Sequence, residues 1–200
     1  MRTIGSNGEV TENALREAGI KLISKHGYEA VTLRALASEV GIQAGSLYNY
    51  IQNKQDFLFR LLTSIMEDLL VETDERLAGL KDPRDRLRAF IALHIDFHTR
   101  RKDHVFIGNM ELRSLLPKHR AKVVALRADY EQRLRQIICD GKAQGLFKVS
   151  DETIATYAII AMLTGVCDWY NPKGRLSIEK LTEYHTELVF GALGASFKRR

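Results

Sequence analysis

Apolar side chains recur every three to four positions along almost the whole chain, the period of a helix with one buried face. Leu15, Ile20, Leu22 and Ile23 share a face between about Thr11 and His26, and Gly27 stops that run. Leu33, Leu36, Ala37 and Val40 form a second, shorter stripe, opened by the capping hydroxyl of Thr32 and ended by Gly41. A third short helix is expected from Gln43 or Ala44 to Tyr50. Asn53 then caps a long one, from Lys54 to about Ala78, that carries Phe57, Leu58, Leu61, Leu62, Ile65, Leu69 and Leu70. Pro83, a favoured first-turn residue, restarts the pattern through Leu87, Phe90, Ile91, Leu93, Ile95 and Phe97. Further helices are predicted over Val105 to Leu116, Pro117 to about Gly145, Glu152 to about Tyr170, and from the cap Ser177 to about Gly194. Strand-like alternation is lacking. The expectation is an all-α protein of about nine helices. Three of them form a small head, residues 1–53, and the remainder a larger bundle, residues 54–200.

Composition narrows the class. With 200 residues and 45 % hydrophobic content the chain can bury a true core. Its longest apolar runs fall short of the roughly 20 residues that a membrane-spanning helix needs, so no membrane partner is expected. The polar stretch Met1 to Val10 lacks the apolar region of a secretion signal. Cys139 and Cys167 are isolated and read as reduced, and the expected compartment is the cytoplasm. The net charge of +5 is unevenly placed. Residues 1–53 hold five basic and five acidic side chains, whereas residues 81–148 hold sixteen basic and eight acidic ones. The excess therefore sits in the middle of the chain, as a solvated surface or as a site for an anionic ligand.

The most informative stretch runs from Thr32 to Lys54, T-L-R-A-L-A-S-E-V-G-I-Q-A-G-S-L-Y-N-Y-I-Q-N-K. Gly41 permits a tight turn between two helices, and Ile42 and Leu47 return to the core. Gln43, Ala44, Gly45, Ser46, Tyr48 and Asn49 are left on the outside of the second helix. Small residues let a helix sink into a DNA major groove, and the amide and hydroxyl groups can bond base edges and phosphates. Tyr50 and Lys54 stand where the chain leaves such a groove and suit phosphate contact. Gly41, Gly45, Ser46, Leu47, Tyr48 and Tyr50, followed by Asn53, Lys54 and Phe57, resemble the signature of the TetR (tetracycline-repressor-like) family of transcriptional regulators. Ile51 departs from it, standing where that pattern usually has an aromatic residue. The resemblance implies a helix-turn-helix DNA-binding domain at 1–53 and a ligand-binding and dimerisation domain at 54–200. It implies operator contacts by Thr32, Gln43, Ala44, Gly45, Ser46, Leu47, Tyr48, Tyr50 and Lys54, and a homodimer formed through the last two helices.

Three further stretches resemble a subgroup that regulates fatty-acid, sterol-fragment or aromatic-acid breakdown. They are Glu111 to Leu115, Leu126-Arg127 with Tyr130-Glu131, and Trp169-Tyr170 with Pro172 and Gly174 to Ser177. Regulators of this kind are often released from DNA by an acyl-CoA, so a small-molecule effector, plausible as such a thioester, is expected here. Its candidate contacts are Phe90, His94, Phe97, His98, Phe106, Met110, Arg113, Arg127 and Trp169. Arg100, Arg101, Lys118 and Arg120 are further candidate partners of phosphate or carboxylate. His94 and His98, four apart on one helix, could join His104 or Glu111 around a metal, but no third ligand has diagnostic spacing. Neither a metal nor a cofactor is expected. A helical enzyme using the His/Arg-lined chamber is the alternative. The sequence lacks a G-x-S-x-G turn, a phosphate loop and a Ser-His-Asp arrangement.

Overall fold

The fold is taken from a computed structural model that describes residues 6–195. Of the polar stretch at the N-terminus, residues 1–5 lie outside the described part. All regular structure among the described residues is helical: α1 (Ser6–His26), α2 (Leu33–Val40), α3 (Ala44–Leu47), α4 (Lys54–Leu77), α5 (Pro83–Arg100), α6 (Lys102–Met110), a 3₁₀ turn (Glu111–Ser114), α7 (Pro117–Ala143), α8 (Glu152–Thr164), α9 (Val166–Trp169) and α10 (Ile178–Ala192). The single helix expected over residues 152–170 is broken at Gly165, and α8 and α9 counted together give the expected nine. At residues 105–116 the α-helix ends at Met110 and tightens into the 3₁₀ turn, α1 begins earlier than expected, at Ser6, and α3 stops short of Tyr50, at Leu47.

The caps anticipated at Thr32 and Asn53 are in place, and Asp151 adds another. The Thr32 hydroxyl accepts from the Ala35 N–H at 3.1 Å, and the Asn53 carbonyl oxygen accepts from the Asp56 N–H at 2.9 Å. Asp151 accepts from the N–H groups of both Thr153 and Ile154. Each satisfies amides that a helix start leaves open. Gly41 adopts φ 76°, in the left-handed region, which turns α2 sharply into the approach to α3.

The chain divides into two compact units, residues 1–67 with 103–126, and residues 68–102 with 127–200. This division differs from a simple cut at residue 53, because the first unit takes in the start of α4, α6 from Asp103 onward and the start of α7. In the first unit Leu15, Ile23, Leu36, Leu47, Leu58 and Leu62 are fully buried, and Ile107, Leu115 and Val123 complete the same core. In the second unit α5 is central, packing against α8, α9 and α10. Its Leu87, Phe90, Ile91, Leu93, Ile95 and Phe97 are all buried, together with Leu134, Ile137, Ile138, Phe147, Val189 and Phe190.

Candidate DNA-reading surface and effector site

The head core decides which way the second helix of the helix-turn-helix faces. Leu47 is 0 % exposed and Ile51 is buried beside it, which anchors α3 from behind. Every other side chain from Gln43 to Asn49 is exposed, and Tyr48 is 62 % exposed. Gln43 stands at the N-cap of α3 without spending its side chain on a capping bond. A Cβ added at Gly45 would meet nothing within 4 Å. Leu47 is the one correction within the expected DNA-contact set, because its side chain faces the core and has no surface to offer. Thr32 is exposed while its hydroxyl caps α2, and Tyr50 is half-buried. The Lys54 ammonium lies 4.2 Å above the Tyr28 ring and donates to the Glu29 carbonyl at 3.0 Å.

The expected effector residues fall in both units. Phe90, His94, Phe97, His98, Arg127 and Trp169 belong to the second unit, whereas Phe106, Met110 and Arg113 belong to the first. Phe90, His94, Phe97 and His98 are buried together. The two imidazoles stack with centroids 3.8 Å apart at 7°. His94 Nδ1 is 2.7 Å from the Tyr130 hydroxyl, and its Nε2 is 3.2 Å from the Thr164 hydroxyl. His98 Nδ1 donates to the His94 carbonyl at 2.8 Å. Burial pushes the His98 imidazole down to about 4 and that of His94 well below its ordinary value, so both are neutral at pH 7. Arg100 and Arg101 do not await an anion, since Arg100 pairs with Asp96 and Glu72, and Arg101 with Asp68 and Glu72. Phe106, Met110 and Trp169 are about half exposed rather than enclosed. Met110 and Arg113 line an open concavity of about 280 Å³ with Asn109, Leu112 and Arg120.

Two residues that sequence reasoning left without a role prove central. Glu111, expected only as a metal candidate, is 8 % exposed, and its carboxylate accepts from the Tyr28 N–H at 3.0 Å and the Ser114 hydroxyl at 2.8 Å. The Gln55 amide donates to the Ser114 carbonyl at 2.8 Å and accepts from the Leu116 N–H at 3.2 Å. No local pattern signals them, because Tyr28 lies 83 positions from Glu111 and Ser114 lies 59 from Gln55.

On the last two helices, Ile154, Tyr157, Ala158 and Ala161 form an exposed stripe on α8 at spacings of three and four, with Tyr184 and Leu188 exposed on α10. Leu163, Val166, Leu181 and Leu193, from the same stretch of chain, are buried within the unit.

A short helix held from behind by leucine and isoleucine, offering small and hydrogen-bonding side chains to solvent after a glycine turn, defines a helix-turn-helix DNA-binding regulator. Residues 15–61 match the domain described as bacterial regulatory proteins, tetR family, and residues 80–193 match the tetracyclin repressor-like C-terminal domain. The chain belongs to the TetR family of bacterial transcriptional regulators. Among its relatives is the HTH-type transcriptional repressor KstR2 of Rhodococcus jostii, 23 % identical over 96 % of this chain and 95 % of that one. A tetR-family regulatory protein from Rhodococcus RHA1 shares the fold with a TM-score of 0.87 at 22 % identity, over 94 % of this chain and 98 % of the other. AibR, solved in complex with isovaleryl coenzyme A and operator DNA, superposes with a TM-score of 0.83 at 26 % identity, covering 90 % of this chain and 98 % of AibR. No helix among the described residues is long and apolar enough to cross a membrane.

Proposed function

We propose that the protein is a cytoplasmic, homodimeric transcriptional repressor that binds palindromic operator DNA and is released by a small molecule, a coenzyme A thioester. One observation carries the DNA part: from Gln43 to Asn49 only Leu47 is buried. In this reading α3 enters the major groove. Gln43, Ser46 and Tyr48 supply hydrogen bonds, and Ala44 and Gly45 allow close approach. Thr32, Tyr50 and Lys54 face phosphates, Lys54 by leaving the Glu29 carbonyl for a charged acceptor. Residues 1–53 act as the DNA-binding domain and residues 54–200 as the effector and dimerisation domain. The exposed stripes of α8 and α10 pair across a two-fold axis as a four-helix bundle, which places two heads on half-sites roughly 34–36 Å apart.

The thioester reading is supported by the basic excess of residues 81–148 and by AibR's complex. The role is regulatory rather than enzymatic, in keeping with the family and with the use of the buried histidines in packing. The test is a gel shift on DNA flanking the gene, with and without a panel of acyl-CoAs. Tyr48→Ala should weaken operator binding by about 1–3 kcal/mol without unfolding the head. Full affinity in a folded variant would refute the groove placement. If no thioester changes operator affinity, the repressor keeps its DNA role but the effector assignment fails.

A further inference from the structure

The turn between α6 and α7 has two chemically distinct sides. On one, Glu111 and Ser114 are tied to Tyr28 and Gln55 of the head by the hydrogen bonds described above. On the other, Arg113 from the turn and Arg120 from the first turns of α7 line the 280 Å³ concavity with Asn109, Met110 and Leu112. Both arginines are exposed, and neither has a carboxylate partner among the described residues. Arg60, Arg86, Arg101 and Arg133, by contrast, each hold an acid. The one acid of the turn, Glu111, is already committed to Tyr28 and Ser114.

Two guanidinium groups sharing one hollow repel each other until an anion joins them. Their forked donors match the oxygens of a phosphate. The thioether of Met110 and the side chain of Leu112 add an apolar wall, so the fitting ligand carries organic structure next to its phosphate. The volume lies below the usual range of whole small-molecule sites, roughly 300–1,000 Å³, and suits a headgroup rather than an entire ligand. We propose that this concavity is the subsite for the phosphate-bearing headgroup of the effector. Because residues 111–114 carry both sides, filling it biases the turn that holds Tyr28 and, through the Tyr28 ring, Lys54. The assignment to an effector rests on the thioester reading, whereas phosphate binding itself does not.

The test is calorimetry on the full chain with two probes: coenzyme A and pyrophosphate. Coenzyme A and pyrophosphate should bind the wild type. The double variant R113Q/R120Q, with both changes on exposed side chains, should bind each about tenfold more weakly or worse. R76Q/R135Q, the same loss of charge at exposed positions elsewhere, should leave both affinities within about twofold. The proposal is overturned if neither probe binds the wild type, if R113Q/R120Q binds as the wild type does, or if R76Q/R135Q weakens binding equally. Gel shifts separate the two readings. Release of operator by an acyl-CoA in wild type and R113Q/R120Q alike removes the subsite and keeps the thioester. Probe binding at the arginines without operator release by any thioester keeps the subsite and removes the thioester.

Discussion

Replacing Glu111 by alanine tests whether the turn after α6 is fastened to the head. The substitution leaves the Tyr28 N–H, a donor of a buried residue, without its acceptor at 3.0 Å. An orphaned buried donor costs about 1–3 kcal/mol. The Ser114 hydroxyl loses a 2.8 Å bond as well, but that residue is half-buried and can turn to water, so its share is smaller. The expected total is about 2–3 kcal/mol, and at about 2–4 °C per kcal/mol for a chain of this size Tm should fall by about 5–10 °C. Glu111→Gln keeps a carbonyl oxygen for the Tyr28 N–H and should cost about 1 kcal/mol. Thermal and urea unfolding followed by circular dichroism measure the loss, and fluorescence anisotropy on labelled operator measures its consequence. Since the Tyr28 ring supports the Lys54 ammonium, operator affinity should drop along with stability. Melting of Glu111→Ala within a degree of the wild type, with undiminished affinity, would refute the reasoning.

Gly141→Ala should destabilise the second unit by about 1–3 kcal/mol. The new Cβ would stand 2.1 Å from the rigid, buried ring of Phe147, and overpacking of that kind outweighs the gain of up to about 1 kcal/mol from helix propensity; urea unfolding checks it. Leu188→Asp, on the exposed face of α10, should convert the dimer to monomer in sedimentation while preserving helicity, and an unaffected dimer would place the interface elsewhere. Stability should fall on acidification from about pH 6.5 towards 4. The unfolded histidines take up protons in that window, whereas buried His98, held at about 4, and His94, held lower, do not. Between pH 7 and 5 His98 alone contributes a loss of about 2 kcal/mol, and His98→Phe should flatten the profile measured by urea denaturation.

The head was legible residue by residue because its pattern is local. Leu36, Ala37, Leu47 and Ile51 are buried, and Gln43, Ser46 and Tyr48 exposed, as a glycine turn between two short helices requires. Even the Leu47 correction follows from that pattern, since an apolar residue flanked by exposed ones on a short helix is its anchor. The surroundings of the expected effector residues were less legible. Phe106 and Met110 seemed to be chamber walls, but α6 buries Val105 and Ile107, leaving the other two half exposed. Arg101 looked like a ligand for an anion, but acids some 30 positions earlier, Asp68 and Glu72, take up its charge. Glu111 was considered only as a metal ligand, whereas in the fold it accepts from the Tyr28 N–H. For Arg101 and Glu111 a partner distant in sequence decides the outcome, and spacing along one helix carries no trace of it.

Gly45 separates recognition from folding. The space beyond its Cα is open and its φ is not in the left-handed region, so the backbone there accepts any ordinary residue. At a helical position alanine is worth about 1 kcal/mol more than glycine. The fold alone therefore favours replacement, and the glycine is kept at some loss of stability. Substitutions at this position should sort variants by the DNA they accept while every one of them still folds. A library randomised at Gly45 and its neighbours Gln43, Ala44 and Ser46 is thus a means of redirecting the protein to new operators without a compensating change in its core.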